Sequence, residues 1–342
     1  MTATYANERN ATLDLTKGLA IFLVVWGHCI QFIFIDVHQL YAKNPVFEVI
    51  YAFHMPLFMA LSGYLFAMSE RKYSVSDLLR RRTQRLLLPV ITWSVIIFTA
   101  NCIAYLAVTH LARFRQYHVT LHPPRNDLWF LTSTLFCILV ALGCRKIKGG
   151  HPAVYILAIL LSLALPDGFQ LNFDKYMLPY FVAGILFYRY RSKIPQVAYW
   201  ATWAISLSTF SVLLWNWKTE YYIYGSGMSL YVSDPLHQVF VISIRYLAGF
   251  AGIGSVIPVI HLLQRMTKLS PLAYLGRFTM GIYVISTPFI PHLAYLHIPY
   301  VNTCFYTWIT TMLTACILGG RGMGAVKVRK LGKYASLLLL GD

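Results

Sequence analysis

An all-α polytopic membrane bundle is the fold class this sequence predicts, and three observations carry the expectation. Of 342 residues, 58% are apolar and only 12% charged, against about 45–50% and about 25% in an ordinary soluble domain. Ten apolar stretches recur along the chain, most near the roughly 20 residues that a helix needs to cross a hydrocarbon core. The basic excess, 29 Lys and Arg against 12 Asp and Glu, collects in short connections between those stretches. Charge so placed records membrane orientation rather than a nucleic-acid footprint. A water-soluble globule and a nucleic-acid partner are both disfavoured.

The expected spans cover residues 13–35, 45–68, 86–110, 127–144, 152–165, 176–188, 197–217, 237–263, 272–296 and 303–318. The first follows a weakly charged leader with no small-residue cleavage site after it, so it is expected to stay as helix one. The second carries Pro56, which kinks the helix and leaves the carbonyl of Ala52 without its helical partner. The third begins behind a basic cluster. The fifth and sixth are short, as tilted or partly buried spans are, and Pro166, Asp167 and Gly168 form a tight connection between them. In the eighth, Gly249, Gly252 and Gly254 read as close helix packing. No repeat, low-complexity tract or linker divides the chain, so residues 1–342 read as one membrane domain with no appended soluble module.

Ten spans put both ends on one side. Twenty Lys and Arg fall on the side of the termini and six on the other, while Lys17, Arg245 and Arg277 lie within spans. Both termini are therefore expected in the cytoplasm. The six cysteines (Cys29, Cys102, Cys137, Cys144, Cys304, Cys316) sit in or at the ends of apolar stretches and read as buried thiols. His118 and His122 lie four apart in a loop without a nearby acid, a poor ligand set, and no metal is expected.

Ionisable groups inside a membrane are costly enough to be functional candidates. Span one holds Asp14, Lys17 and His28. Asp14 and Lys17 are spaced i, i+3 and close enough to pair. Lys17 and His28, eleven positions apart, return to within about 20° of one face, some 16 Å apart along the axis. The plain alternative is a snorkelling Lys17 and a structurally bonded His28. His54, beside Met55 and Pro56, fits two roles equally: orienting His28 or touching substrate, and bonding between helices. Arg81, Arg82 and Arg85 sit where the third span begins. A topology signal explains them, but a helical Arg82 and Arg85 share a face and suit a phosphate fork. Arg245 lies deep in the eighth span and suits an acceptor hydroxyl or carboxylate, or else a structural acid partner. Asn126, Asp127 and Trp129 open the fourth span, where Trp129 suits a sugar ring or the membrane interface.

Together these motifs are specific. Asp14, then Lys17, ten residues and His28; His54-Met55-Pro56 leading to Ser62-Gly63-Tyr64; and Arg81-Arg82-Thr83-Gln84-Arg85 occur in an order that resembles the acyltransferase-3 family of integral membrane O-acyltransferases. Leu128-Trp129-Phe130-Leu131, Pro179-Tyr180-Phe181 with Gly184, and Leu275-Gly276-Arg277 with Ile282-Tyr283 resemble its later segments, and the fucose 4-O-acetylase-like branch is the nearest in flavour. Two departures stand out. The family pattern has Arg where this chain has Lys17, whose point-like ammonium makes no bidentate contact. Many members place a His where this chain has Ser286.

The resemblance implies transfer of an acyl group, commonly acetyl, from cytoplasmic acyl-CoA to a sugar hydroxyl across the bilayer. Acetyl-CoA is then the donor, with its phosphates near Arg81, Arg82, Arg85 and Lys17. A cell-surface or lipid-linked polysaccharide is the acceptor, the bacterial inner membrane the location, and membrane lipids the surroundings. His28 becomes the general base or, alternatively, an acyl-carrying nucleophile. Whether the enzyme works as a monomer or a homodimer is left open. The rival class is a transporter or exporter of a saccharide or small polar solute, since intramembrane His, Lys and Arg also mark such pathways.

Overall fold

The computed structural model describes residues 11–33, 40–110, 128–147, 149–168, 170–266, 271–290, 303–324 and 338. The regular elements among them are helical: α1 (Ala11–Ile33), α2 (Pro45–Glu70), α3 (Val75–His110), α4 (Trp129–Lys146), α5 (Pro152–Leu163), α6 (Leu171–Tyr190), α7 (Gln196–Trp215), α8 (Ile223–Ser226), α9 (Pro235–Met266), α10 (Pro271–Leu275), α11 (Thr279–Phe289) and α12 (Thr303–Gly324), with three short 3-10 turns.

Six helical segments among the described residues are long and apolar enough to cross a membrane: Thr12–Phe32, Pro45–Glu70, Val75–Ala100, Trp129–Lys146, Val197–Trp215 and Pro235–Ile260. The remaining expected spans take other forms. The fifth is a 12-residue helix. The ninth is broken at Gly276 into α10 and α11, and Gly276 packs there against the backbone of α1 at Asp14, where a Cβ has no room. The sixth is longer than its apolar stretch, since its first turns carry Asp174 and Lys175. These charges interrupt the hydropathy yet are satisfied: Ser133 Oγ donates to Asp174 Oδ1 at 2.5 Å and Lys175 Nζ to Asp167 Oδ1 at 2.8 Å. α3 starts at Val75 rather than at residue 86, so the basic cluster lies on helical turns continuous with the span.

Local chemistry sets several ends. Asn44 caps α2, its side chain accepting from the amides of Val46 and Phe47 with Pro45 at the first turn. Ser74 accepts from the amide of Asp77 at the start of α3. Pro56 sits inside an unbroken α2. The side-chain donor near that turn is His54, which reaches the carbonyl of Ile50 rather than that of Ala52.

α1 and α2 are the most enclosed spans, with 67% and 56% of their apolar segments buried, whereas α3 and α7 are only 11% and 6% buried and form the rim. Two backbone crossings lock the centre. α2 meets α6 where Gly63 faces the carbonyl of Phe181 and Gly184 faces that of Ala60. α1 meets α10 where Gly18 faces the carbonyl of Leu272. Such small-residue contacts let helices approach to backbone distance. Gly249 and Gly252 likewise admit Tyr180 and Phe53. The thiols divide: Cys29, Cys137 and Cys144 are buried, but Cys102 and Cys304 are half-buried and Cys316 is exposed on the bundle's outside. A residue apolar enough for lipid is not thereby in the core.

Candidate functional site

The ends of α2, α4 and α6 converge on Glu70. Its carboxylate is ion-paired with Arg145, whose Nε lies 3.4 Å away, and accepts from Arg189 Nη2 at 3.2 Å, while Arg189 Nη1 also donates to the carbonyl of Gly150 at 2.8 Å. Two cations counted as orientation signals are therefore a clamp as well. Beside it, the arginines on the first turns of α3 separate. Arg81 lies over the ring of Tyr73 at 4.7 Å, Arg85 is exposed, and Arg82 is half-buried, donating from Nη2 to Ser69 Oγ at 2.9 Å.

Arg82 alone of the three lines a cavity of about 140 Å³. Met55, Phe58, Ser62 and Leu65 of α2 form one wall, spaced three and four apart as a single helical stripe. Val24, Thr134 and Tyr283 face them from α1, α4 and α11. The stripe is about 15 Å long at 1.5 Å per residue. It begins at the Arg82 end and reaches Met55, the neighbour of His54, and Val24, one turn before His28. Lys17 does not line this cavity. Its Nζ is held by Asp14 Oδ1 at 3.1 Å, the i, i+3 pair that the spacing anticipated.

At the far end of the stripe stand the two imidazoles. His54 is 2% exposed, and its Nδ1 lies 2.7 Å from the carbonyl of Ile50. A carbonyl can only accept, so that nitrogen carries the proton and Nε2 keeps the lone pair. The His54 ring is 4.8 Å from that of Tyr51, whose hydroxyl donates to Gln31 Oε1 at 2.7 Å. His28 is half-buried, with its Nδ1 covered and without a hydrogen-bond partner. Arg145 Nη1 and Trp217 Nε1 are also buried without a partner, but of these the imidazole nitrogen is the one able to take up a proton near neutral pH. Ser286, at the position of the missing His, is 1% exposed and bonds back to the carbonyl of Tyr283 at 3.4 Å.

The opposite end of the bundle departs from the sequence reading. Arg245 is 2% exposed, and its guanidinium is spent on the loop before α9. Nε donates to the carbonyl of Tyr221 at 2.9 Å, Nη1 to that of Gly227 at 2.6 Å, and Nη2 to Ser226 Oγ at 2.6 Å and the carbonyl of Tyr222 at 3.2 Å. It clasps a loop; it presents no open fork to an acceptor. Trp129 stacks on Phe173 at 4.4 Å and 26°, so one face of its ring is covered by protein. Asn126, Asp127, His118 and His122 lie outside the described residues.

Sequence reasoning missed Glu70, Lys175 and Asp167. Lys175 Nζ bonds to Asp167 Oδ1 and to the carbonyl of Leu165, while Asp167 Oδ2 accepts from the amide of Met228. The available signal was Lys175, a residue type almost never fully buried unless paired, set beside Asp174 at the start of the apolar run from Tyr176 to Tyr188. Among the described residues, no three His, Cys, Asp or Glu side chains come together in a metal-binding group.

Comparison with known proteins agrees with the motif order. Two curated proteins, each named nodulation protein NolL, are similar. That of Sinorhizobium fredii is 27% identical over 251 residues, 68% of this chain and 64% of its own. That of Mesorhizobium japonicum is 26% identical over 261 residues, 72% and 66%. The chain thus spans about two thirds of the length of the curated relatives it matches. No solved structure matches significantly. The acyltransferase domain model of the acyltransferase-3 family matches residues 10–320, nearly the whole helical bundle, and the chain belongs to that family.

Proposed function

We propose that this protein is a membrane O-acyltransferase that moves an acetyl group from acetyl-CoA to a hydroxyl of a cell-surface or lipid-linked polysaccharide sugar. The observation that carries the reading is the stripe-lined cavity, which begins at Arg82 and stops one helical turn from the unpaired nitrogen of His28. A phosphate-bearing donor with a slender arm suits such a passage: guanidinium at the mouth, apolar walls along the arm, an imidazole beyond its end. In this reading the bundle has ten spans in a bacterial inner membrane. The twenty-to-six excess of Lys and Arg on the side of the termini supports a cytoplasmic position for them and for the Arg82 mouth.

His28 acts as general base. A sugar hydroxyl is a weak nucleophile, and neutral imidazole takes its proton as the oxygen attacks the thioester carbonyl. The new carbon–oxygen ester bond forms, the carbon–sulfur bond breaks, and the leaving thiolate recovers the proton from the imidazolium. The His54 tautomer, fixed through Ile50, holds a lone pair at Nε2 that is suited to orient a donor group nearby. Arg81 and Arg85 add positive potential at the mouth rather than direct contacts, and Lys17 and Asp14 brace α1 below His28. Asn126 and Trp129 stay as acceptor-side candidates, and Arg245 supports that side through the loop it holds.

The test is acetyl transfer itself. Purified protein in lipid vesicles, given acetyl-CoA labelled in the acetyl group and a surface polysaccharide, is expected to place label covalently on the glycan. Unmodified saccharide crossing the vesicle membrane with no label on it points instead to a transporter and ends the proposal.

A further inference from the structure

A second groove, larger than the donor cavity, lies on the other side of α2. It encloses about 520 Å³, within the roughly 300–1,000 Å³ typical of small-molecule sites. Leu57, Ala60 and Leu61 of α2 form its floor, and Phe250, Ile253 and Ile257 of α9 form a side. The α9 wall runs from Phe250 to Ile260, about 15 Å at 1.5 Å per residue. That is half of a hydrocarbon core of roughly 30 Å, the depth of one leaflet. The groove opens on the outside of the bundle, where Phe187 and Phe250 are 44% and 39% exposed.

Its polar groups gather at one end. Arg191 stands there with Tyr64, whose hydroxyl accepts from Arg191 Nη1. The guanidinium carbon lies over two aromatic rings, 4.5 Å from the centre of Tyr188 and 5.3 Å from that of Tyr64. Arg71 approaches the same Tyr188 ring at 5.3 Å. Among the described residues, neither Arg71 nor Arg191 has a carboxylate partner, whereas neighbouring Arg145 and Arg189 share Glu70. A topology signal needs only charge in a loop. It does not need a guanidinium without a carboxylate partner, held on aromatic rings at the polar end of an apolar trough.

We propose that this groove binds one anionic phospholipid of the surrounding leaflet, with an acyl chain along α9 and the phosphate on Arg191. An apolar trough of one-leaflet depth, open sideways, fits an acyl chain, and a pre-oriented guanidinium with vacant donors fits a phosphate. Anionic lipid also gathers where basic residues border the membrane. The lipid so placed packs against α2 on the face opposite the donor cavity, and stiffens the wall that carries Ser62 and Met55. The proposal stands on the groove alone and does not depend on the acyl-transfer reading.

The experiment uses the full chain, purified and delipidated in detergent, with phosphatidylglycerol and phosphatidylcholine of identical chains added in turn. Thermal unfolding and intact-complex mass spectrometry are the readouts. Phosphatidylglycerol is expected to raise the unfolding midpoint several degrees more than phosphatidylcholine and to leave a one-lipid adduct. Arg191→Gln, at an exposed position, is expected to fold normally and lose the preference for phosphatidylglycerol. Ile257→Trp is expected to lose the adduct itself. Equal response to the two lipids, a preference unchanged in Arg191→Gln, or the same shift from glycerol phosphate without chains overturns the proposal. So does protection by palmitoyl-CoA but not phosphatidylglycerol, which assigns the groove to a donor chain.

Discussion

The hydroxyl of Tyr51 donates to Oε1 of Gln31 at 2.7 Å, and this bond joins α2 to α1 level with the imidazole pair. Gln31 is three residues past His28 and Tyr51 three before His54, so each partner shares a helical turn with one imidazole. Tyr51→Phe removes the brace and little else. Stability is expected to fall by about 1 kcal/mol, the usual worth of one such bond. Turnover is expected to fall about tenfold, since small misplacements at a reacting centre are costly, with KM for the donor unchanged. A wild-type turnover number in Tyr51→Phe removes the positioning role.

His28→Ala is expected to lower acetyl transfer about 10²–10⁴-fold, the range for a positioned general base. Donor binding, read by equilibrium titration with acetyl-CoA, is expected to stay near the wild-type value because the cavity lining ends at Val24 and Met55. Full transfer activity in purified His28→Ala protein withdraws the base assignment.

The three arginines at the mouth are expected to differ. Arg82 faces the cavity, while Arg81 rests on Tyr73. Arg82→Ala is expected to weaken donor binding about 10- to 100-fold, the worth of a charged hydrogen bond, and Arg81→Ala about twofold by loss of potential alone. Equal losses in the two variants return the cluster to a topology signal.

Gly63→Ala and Gly184→Ala each place a methyl against a carbonyl of the facing helix. Each is expected to cost about 1–3 kcal/mol, as overpacking does, and to lower the unfolding midpoint in detergent. Gly143→Ala, where a methyl meets open space, is the control, expected to be neutral or slightly stabilising by helix propensity. A midpoint in Gly63→Ala matching that of the control contradicts the backbone crossing.

Arg245→Lys keeps the charge but cannot serve the same carbonyls, since an ammonium has three donors and no planar fork. The loop before α9 is expected to loosen and to be cut by trypsin at Lys218, which is exposed already, many times faster than in the wild type. A weakened acceptor affinity with an unchanged cleavage rate identifies Arg245 as an acceptor ligand instead.

Much of this was legible along the chain. Helix propensity and apolar length announce spans without any partner, and the i, i+3 spacing of Asp14 and Lys17 contained their ion pair because both ends lie on one helix. The motif order carried the family. Cys316 and the sixth span show the limit: hydropathy measures how well a side chain tolerates an apolar setting, and cannot tell lipid from core, nor foresee that Asp167 pairs with Lys175 and Ser133 donates to Asp174 on α6.

What the sequence determined by itself was a helical membrane bundle and a short roster of costly polar residues. Folding alone decided which of them come together. The turn of Arg82 toward the cavity, the orphaned nitrogen of His28, and the spending of Arg245 on loop carbonyls depend on helices far apart in the chain. The physical reason is that spacing determines which face of its own helix a side chain occupies, whereas the partner opposite that face is chosen by packing. Glycines such as Gly63 and Gly184, by admitting a neighbouring backbone, make that choice for the centre of the bundle.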